Sequence, residues 1–351
     1  MFSLRIWSVS LLASLFLVSC MSTSTPPVET VEPVSIFLDT DLGIDIDDAG
    51  ALAVLHTLAD RGEANILATV SNVSDPYAPA ALDAINTYYG RPDIPVGRNP
   101  NPEHYPVATP YWRDDIPEPH FIESMADFPN DTDRASLRPA VEVYRQTLAA
   151  QPDNSVTVVS LGFMQNMADL MNSAPDRYSD LSGMELIQQK VEKLVLMGGF
   201  YPGHKGELYL AGGKEMDATA SNQVIDSWPT SMVFSPGNKD VCDGVVNGTT
   251  ISEATPPTNP VRRGYELFAG REGRTAWDLC AVLYAVRGNS DPEDGAYFKL
   301  AETEERLAVE SDGASSWVPD ANSRHSRMLR VMPEEELERV LEALLVAPPQ
   351  R

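Results

Sequence analysis

The sequence predicts an α/β fold: an open, mostly parallel twisted sheet flanked by helices. Two observations carry this reading. Short β-rich runs alternate with helical patterns along the chain, as in a parallel sheet covered on both faces. Polar or glycine-rich residues then stand directly after successive strands, at the edge where open α/β sheets bind their ligands.

The predicted strands are Ser35 to Leu38, Ile66 to Val70, Ser155 to Ser160, Lys193 to Met197 and Ser231 to Phe234. Helical patterns cover Asp48 to Asp60, Pro79 to Tyr89, Ser136 to Ala149, Met164 to Asn172 and Thr219 to Asp226. Segment 98–134 is rich in Pro, Asp and Asn with weak periodicity, and reads as a long loop able to serve as a lid. Pro333 to Leu345 reads as a charged amphipathic helix of structural role. Without an internal repeat or a second composition break, residues 34–351 read as a single domain.

Residues 1–19 have the form of an export signal. Arg5 supplies the positive start, Ile6 to Val18 a short apolar stretch, and Leu17-Val18-Ser19-Cys20 resembles the lipobox of bacterial lipoproteins. The stretch falls short of the roughly 20 apolar residues that a membrane span needs. Cleavage before Cys20 leaves a lipidated thiol and a Ser/Thr/Pro-rich flexible tether over residues 20–33. The expectation is an exported protein, periplasmic or at the cell surface, held at a membrane through its lipid alone. With 51 acidic residues against 26 basic ones, neither nucleic acid nor an anionic lipid surface is an expected partner. Cys242 and Cys280 lack the spacing of a zinc site, and either pairing or separate burial suits them.

The chemistry is concentrated after the first strand. Asp39, Asp41, Asp45, Asp47 and Asp48 place five carboxylates within ten residues. Such like charges repel and resist folding together unless a cation or a set of hydrogen-bond donors neutralises them. Oxygen donors without a nearby His or Cys point to a hard ion, calcium or magnesium. An EF-hand fails on spacing, because counting from Asp39 the sixth residue is Ile44 rather than Gly and the twelfth is Gly50 rather than Glu.

The run Asp39-Thr40-Asp41-Leu42-Gly43, followed after a two-residue insertion by Asp47-Asp48-Ala49, resembles the opening motif of the nucleoside hydrolase family, Asp-Thr-Asp-Pro-Gly-x-Asp-Asp-Ala. The resemblance continues at Leu67 to Val73, Gly90 to Gly97, Leu161-Gly162 through Asn166-Met167-Ala168, Val195 to Gly199, Glu215-Met216-Asp217 and Trp277-Asp278-Leu279. The strand-Asp39-Thr40-Asp41 element also resembles the haloacid-dehalogenase phosphatases, but the three further carboxylates fit them less well.

The nucleoside hydrolase resemblance implies a Rossmann-like fold and a calcium-dependent N-glycosidase acting on a ribonucleoside or related N-riboside. It implies that Asp41 is both a calcium ligand and the base taking a proton from metal-bound water. Asp48, Asp278 and the Leu161 carbonyl would complete the ligands, and Asp47, Asn72, Glu215 and Asp217 would hold the ribose hydroxyls. Two departures stand out. Trp277 replaces a family His that protonates the leaving base, and an indole, which has only its N–H to give, either stacks on a purine or simply packs in the core; Asp217 replaces an Asn. Among the histidines, His204, with His104 and His120 in the lid segment, are the candidates for a surrogate acid, whereas His56 reads as structural. The leading expectation is therefore a hydrolase feeding nucleoside salvage, and the alternative a ribose- or nucleoside-binding surface lipoprotein with impaired catalysis. Homo-oligomerisation is compatible with either.

Overall fold

The computed structural model describes residues 32–101, 121–133, 136–199, 218–310 and 313–350. The central sheet has nine strands. In chain order these are β1 (Val34–Thr40), β2 (Ala64–Ser71), β3 (Val96–Arg98), β4 (Arg138–Pro139), β5 (Val156–Ser160), β6 (Val191–Met197), β7 (Ser231–Ser235), then β12 (Phe298–Leu300) and β15 (His325–Arg330). The short pairs β8 (Val246–Asn247) with β9 (Arg274–Thr275) and β10 (Ser290–Asp291) with β11 (Gly295–Ala296), and the hairpin β13 (Glu305–Val309) with β14 (Ser315–Pro319), lie outside it. Spatial order is β12-β15-β7-β6-β5-β1-β2-β3-β4, and every pairing is parallel except that of β12 with β15.

Eleven helices are described: α1 (Asp47–Asp60), α2 (Ala78–Tyr88), α3 (Phe121–Ala126), α4 (Ala140–Ala149), α5 (Gln165–Asn172), α6 (Gly183–Lys190), α7 (Thr219–Ser227), α8 (Ile251–Ala254), α9 (Pro260–Phe268), α10 (Trp277–Arg287) and α11 (Glu334–Leu345). They divide between the two faces because alternate strand residues point to opposite sides. Ile36 and Leu38 of β1 join the core formed with α1, α2, α10 and α11, whereas Phe37 joins the core formed with α4, α5, α6 and α7. There Phe37 stacks on Tyr144 with ring centres 3.8 Å apart. Among the described residues no helix is long and apolar enough to cross a membrane.

The chain winds outward from β1 through β2, β3 and β4, then returns to the other side of β1 with β5 and winds outward again through β6 and β7. The reversal puts the topological switch point, at which open α/β sheets take their ligands, between the carboxyl ends of β1 and β5. Register aligns those ends: Thr40 lies beside Ser71, and Asp39 beside Ser160.

Several elements differ from the sequence reading. Segment 98–134 is not one continuous loop, since its described part contains α3, which packs Phe121 edge-on against Phe268 of α9. The helix predicted from Ser136 begins only at Ala140, because Arg138–Pro139 pairs with β3 at the sheet edge. Helix α6 carries a capping box in which Ser182 and Glu185 satisfy each other's backbone N–H groups, a Ser-x-x-Glu signal present in the sequence. Cys242 and Cys280 form a disulfide.

His56, on α1, is fully buried. Its Nδ1 faces the Arg91 guanidinium at 3.4 Å, which can only donate, so Nε2–H donates to Asn86 Oδ1 at 2.9 Å. The Asn86 amide in turn donates to Thr69 Oγ1 on β2. Burial, and then the Arg91 charge, push the imidazole down to about 3. The folded value lies below the unfolded one, so the unfolded chain binds the extra proton and stability falls as pH drops from about 6.5 toward 3. Between about pH 6.5 and 4.5 the parent is expected to lose about 2 kcal/mol more than His56→Gln. Urea unfolding of both chains across that range measures the difference, and equal losses would contradict the assignment.

Candidate functional site

Each part of the site is delivered by the end of an element. Strand β1 delivers Asp39 and Thr40. The chain then turns at Asp41-Leu42-Gly43, where Ile44 N–H donates to the Asp41 carbonyl at 3.1 Å and Gly43 adopts φ 123°, a left-handed value that favours glycine. The first turn of α1 presents Asp47 and Asp48, and the first turn of α10 presents Asp278. All of these carboxylates are buried.

Asp47, Asp48 and Asp278 each offer an oxygen within 4.8 Å of the others. The Asp278 backbone N–H donates to Asp47 Oδ2 at 3.3 Å, and Thr40 Oγ1 donates to Asp48. Burial first, and then the neighbouring carboxylates, push Asp41, Asp47 and Asp278 well above the usual carboxylate range. Burial likewise pushes Asp48 up to about 7, against the lowering effect of Thr40.

Strand β5 supplies the opposite wall. Leu161 N–H donates to the Asp39 carbonyl at 2.8 Å, and Gly162 lies so close to Asp41 that an added Cβ would stand 2.5 Å from its Cγ. A hydrogen is therefore all that fits between this loop and the Asp41 carboxyl.

Asp39 is held differently. Tyr144 Oη donates to Oδ2 at 2.9 Å, and the Asn72 and Asn166 amides donate to Oδ1 at 2.9 and 3.2 Å. Burial still outweighs these three bonds and pushes the group up to about 7. Because both amides turn their NH2 groups toward Asp39, Asn72 Oδ1 and Asn166 Oδ1 are left buried without a partner among the described residues. Asp45, in the insertion, accepts a bidentate ion pair from Arg274, which lies 229 positions away.

The structure thus brings together Asp41, Asp47, Asp48 and Asp278, sets Gly162 against Asp41 with Leu161 bonded to the Asp39 carbonyl, and places half-buried Trp277 next to Asp278. Asn72 is bonded to Asp39. Glu215, Asp217, His104, His120, His204 and Cys20 lie outside the described residues. The two described histidines are engaged within the fold, His56 as above and His325 through Nδ1, which accepts Leu307 N–H. Asn166 and Tyr144 received no role from the sequence, although Asn166 lies inside a block that resembles the family. Arg274 offered no local signal at all.

The donor set fits a hard divalent cation. It consists of carboxylate oxygens, and Asp41 Oδ2 and Asp278 Oδ1 are buried without a hydrogen-bond partner among the described residues. Ligands about 2.3–2.6 Å from a calcium ion stand at most about 5 Å from one another, and the oxygens of Asp47, Asp48 and Asp278 meet that limit. Arg274 offsets part of the charge on Asp47, but its direct partner is Asp45.

Comparison with known proteins gives a consistent result. The family model described as inosine-uridine preferring nucleoside hydrolase matches residues 36–332. Among solved structures, the purine-preferring ribonucleoside hydrolase of Gardnerella vaginalis is similar, with a TM-score of 0.61 at 17% identity, covering 89% of this chain and 98% of that one. A plant nucleoside hydrolase, PpNRh1, aligns with a TM-score of 0.61 at 16% identity, covering 90% and 100% of the two chains. The type III effector XopQ, in complex with adenosine diphosphate ribose, aligns with a TM-score of 0.60 at 14% identity, covering 91% and 94%. Compared with curated protein sequences, the chain matches none.

Gly162→Ala is expected to displace the Asp41 carboxyl, since the added methyl has no room to occupy. The variant should be destabilised by about 1–3 kcal/mol and, if the aspartate group takes calcium, should show a smaller rise in melting temperature with that ion than the parent. Thermal unfolding with calcium and with chelator measures both effects. An Ala variant stabilised by calcium as much as the parent would place Asp41 outside the ion site.

Proposed function

The chain belongs to the inosine-uridine preferring nucleoside hydrolase family, and from that premise we propose that it hydrolyses the N-glycosidic bond of a ribonucleoside or a related N-riboside, giving free base and ribose. The single observation that supports this reading most strongly is the buried group Asp41, Asp47, Asp48 and Asp278, assembled at the switch point of the sheet. Calcium is the ion proposed for it, held by Asp41, Asp48, Asp278 and the Leu161 carbonyl. When bound, that ion supplies Lewis acidity toward water and toward the vicinal sugar hydroxyls.

The chain's own residues then divide the work. Asp47 and Asn72 hold ribose hydroxyls, the Asn72 side-chain oxygen being the acceptor that Asp39 leaves unused. Glu215 and Asp217 are assigned to the same hydroxyls. Asp41 takes up the proton of the attacking water. As the bond from the anomeric carbon to nitrogen breaks, its electron pair leaves with the base and positive charge builds on the sugar. The carboxylates around the ring stabilise that charge more than they stabilise the neutral substrate, which is what accelerates the step. Trp277 offers the leaving base an aromatic face in place of a protonating histidine. XopQ, whose fold is similar, is seen in complex with adenosine diphosphate ribose, so a larger riboside is included in the proposed substrate class.

A second reading, a ribose- or nucleoside-binding protein of impaired catalysis, is favoured by one observation: Trp277 stands where a histidine would donate the proton, and neither described histidine substitutes for it. We further propose that residues 1–19 are a leader and that Cys20 carries lipid, so that the enzyme is exported and works at a bacterial membrane, on its periplasmic side or at the cell surface.

Incubating the mature chain with a panel of nucleosides and an activated aryl riboside should release reducing sugar, with chelator abolishing the reaction. Asp41→Asn should lower turnover at least a thousandfold while the fold is retained. Sugar or nucleoside binding by calorimetry without turnover of any compound would establish the binding reading instead. Cys20→Ser should move the protein from the membrane fraction to the soluble exported fraction, and an unchanged distribution would exclude the lipid anchor.

A further inference from the structure

Neither the ligand set nor the sugar contacts use the Asp45–Arg274 ion pair, and we propose that it is a clamp that holds the two ligand-bearing segments in register and fixes the indole of Trp277. The inference rests on reading the aspartate group as an ion site and assigns a positioning role to two residues outside that group.

Asp45 lies two residues before Asp47, and Arg274 lies three before Trp277 and four before Asp278. Arg274 Nε donates to both Asp45 oxygens, at 2.9 and 3.0 Å, and Nη2 donates to Oδ2 as well. The side chains are only 4% and 19% exposed, so water competes little for either partner. A guanidinium held in this fork is fixed in orientation as well as in distance. Its carbon stands 4.8 Å from the centre of the Trp277 ring and 5.7 Å from that of Phe268, which places the cation against the indole. Across the same junction the Asp278 N–H bond to Asp47 is long, at 3.3 Å. The insertion that supplies Asp45 therefore gives the loop before α1 a firm grip on the segment entering α10.

Ligand geometry and simple Coulomb attraction predict different outcomes. Arg274 is a cation beside a cation site, so charge alone requires its removal to tighten ion binding and removal of Asp45 to weaken it. A clamp requires both removals to weaken binding, and requires the second to add nothing once the first has been made. Residues that orient metal ligands from behind typically contribute about 10- to 100-fold to affinity.

The test is calorimetric titration of calcium into the chelator-treated mature chain, Asp45→Asn, Arg274→Met, their double variant and Arg274→Lys. Hydrogen exchange at the amides of residues 277–279 is measured without ion in parallel. Both single variants and Arg274→Lys, which keeps the charge but loses the fork, are expected to bind calcium about tenfold or more weakly and to exchange faster at those amides. The double variant should bind no more weakly than the worse single one. Tighter binding by Arg274→Met, or parent affinity and parent protection in Arg274→Lys, would overturn the clamp. Should Arg274→Met fail to fold with Asp45 left uncompensated, Arg274→Lys decides the question. Should the parent itself take up no calcium, the ion reading fails by itself, and the exchange rates still decide whether the pair holds the segment.

Discussion

Asp41, Asp47, Asp48 and Asp278 face one another in a space from which water is largely excluded, and their mutual repulsion is the constraint to which the neighbouring structure answers. Burying one unpaired carboxylate is already costly, and burying four together requires protons or a cation. Among the described residues the surrounding donors are too few to serve: Thr40 meets Asp48, and the Asp278 N–H meets Asp47. By contrast, Asp39 and Asp45 are satisfied within the protein, the first by Tyr144, Asn72 and Asn166, the second by Arg274. Six buried aspartates thus fall into two kinds, those the fold neutralises and those it leaves with oxygens to offer. The second kind defines the site.

The fold supports this concentration of charge by bringing distant chain segments to one edge. Parallel register aligns the ends of β1, β2 and β5, and the reversal of winding at β1 puts the switch point there. Helix α10 must reach the same edge from far along the chain, and it is anchored at several points. Ala276 N–H donates to the Val245 carbonyl at 2.9 Å, β9 pairs with β8, and Cys280 is joined to Cys242. Ligands on rigid elements hold their geometry better than ligands on free loops. Gly162 completes the enclosure by letting the β5 loop pass in contact with Asp41.

Much of this was legible in the sequence, and the limits have physical causes. The strands β1, β2, β5, β6 and β7 stood out because each is an apolar run bounded by polar residues, and the carboxylate run declared itself by crowding alone. The short strands β3 and β4 did not, because two or three residues carry no periodicity. Helix α3 was hidden in a segment whose Pro and Asp content reads as loop, and its six residues are stabilised by packing against α9 rather than by propensity. Asp45 had no visible role, since its partner Arg274 is remote in sequence and a lone arginine before a tryptophan signals nothing locally. The family resemblance implies a sugar contact for Asn72. Its bond to Asp39, which turns the amide, depends on a three-dimensional hub that spacing does not encode.

One ion is proposed to be held jointly by the loop and helix that follow β1 and by the first turn of α10. Calcium titration of the parent and of Asp278→Asn, each stripped with chelator, tests this most directly. One ion should bind per parent chain, with affinity lowered at least a hundredfold by a substitution 230 positions from Asp48. Equal affinity in the two proteins, or no uptake by the parent, would show that the two segments do not share an ion.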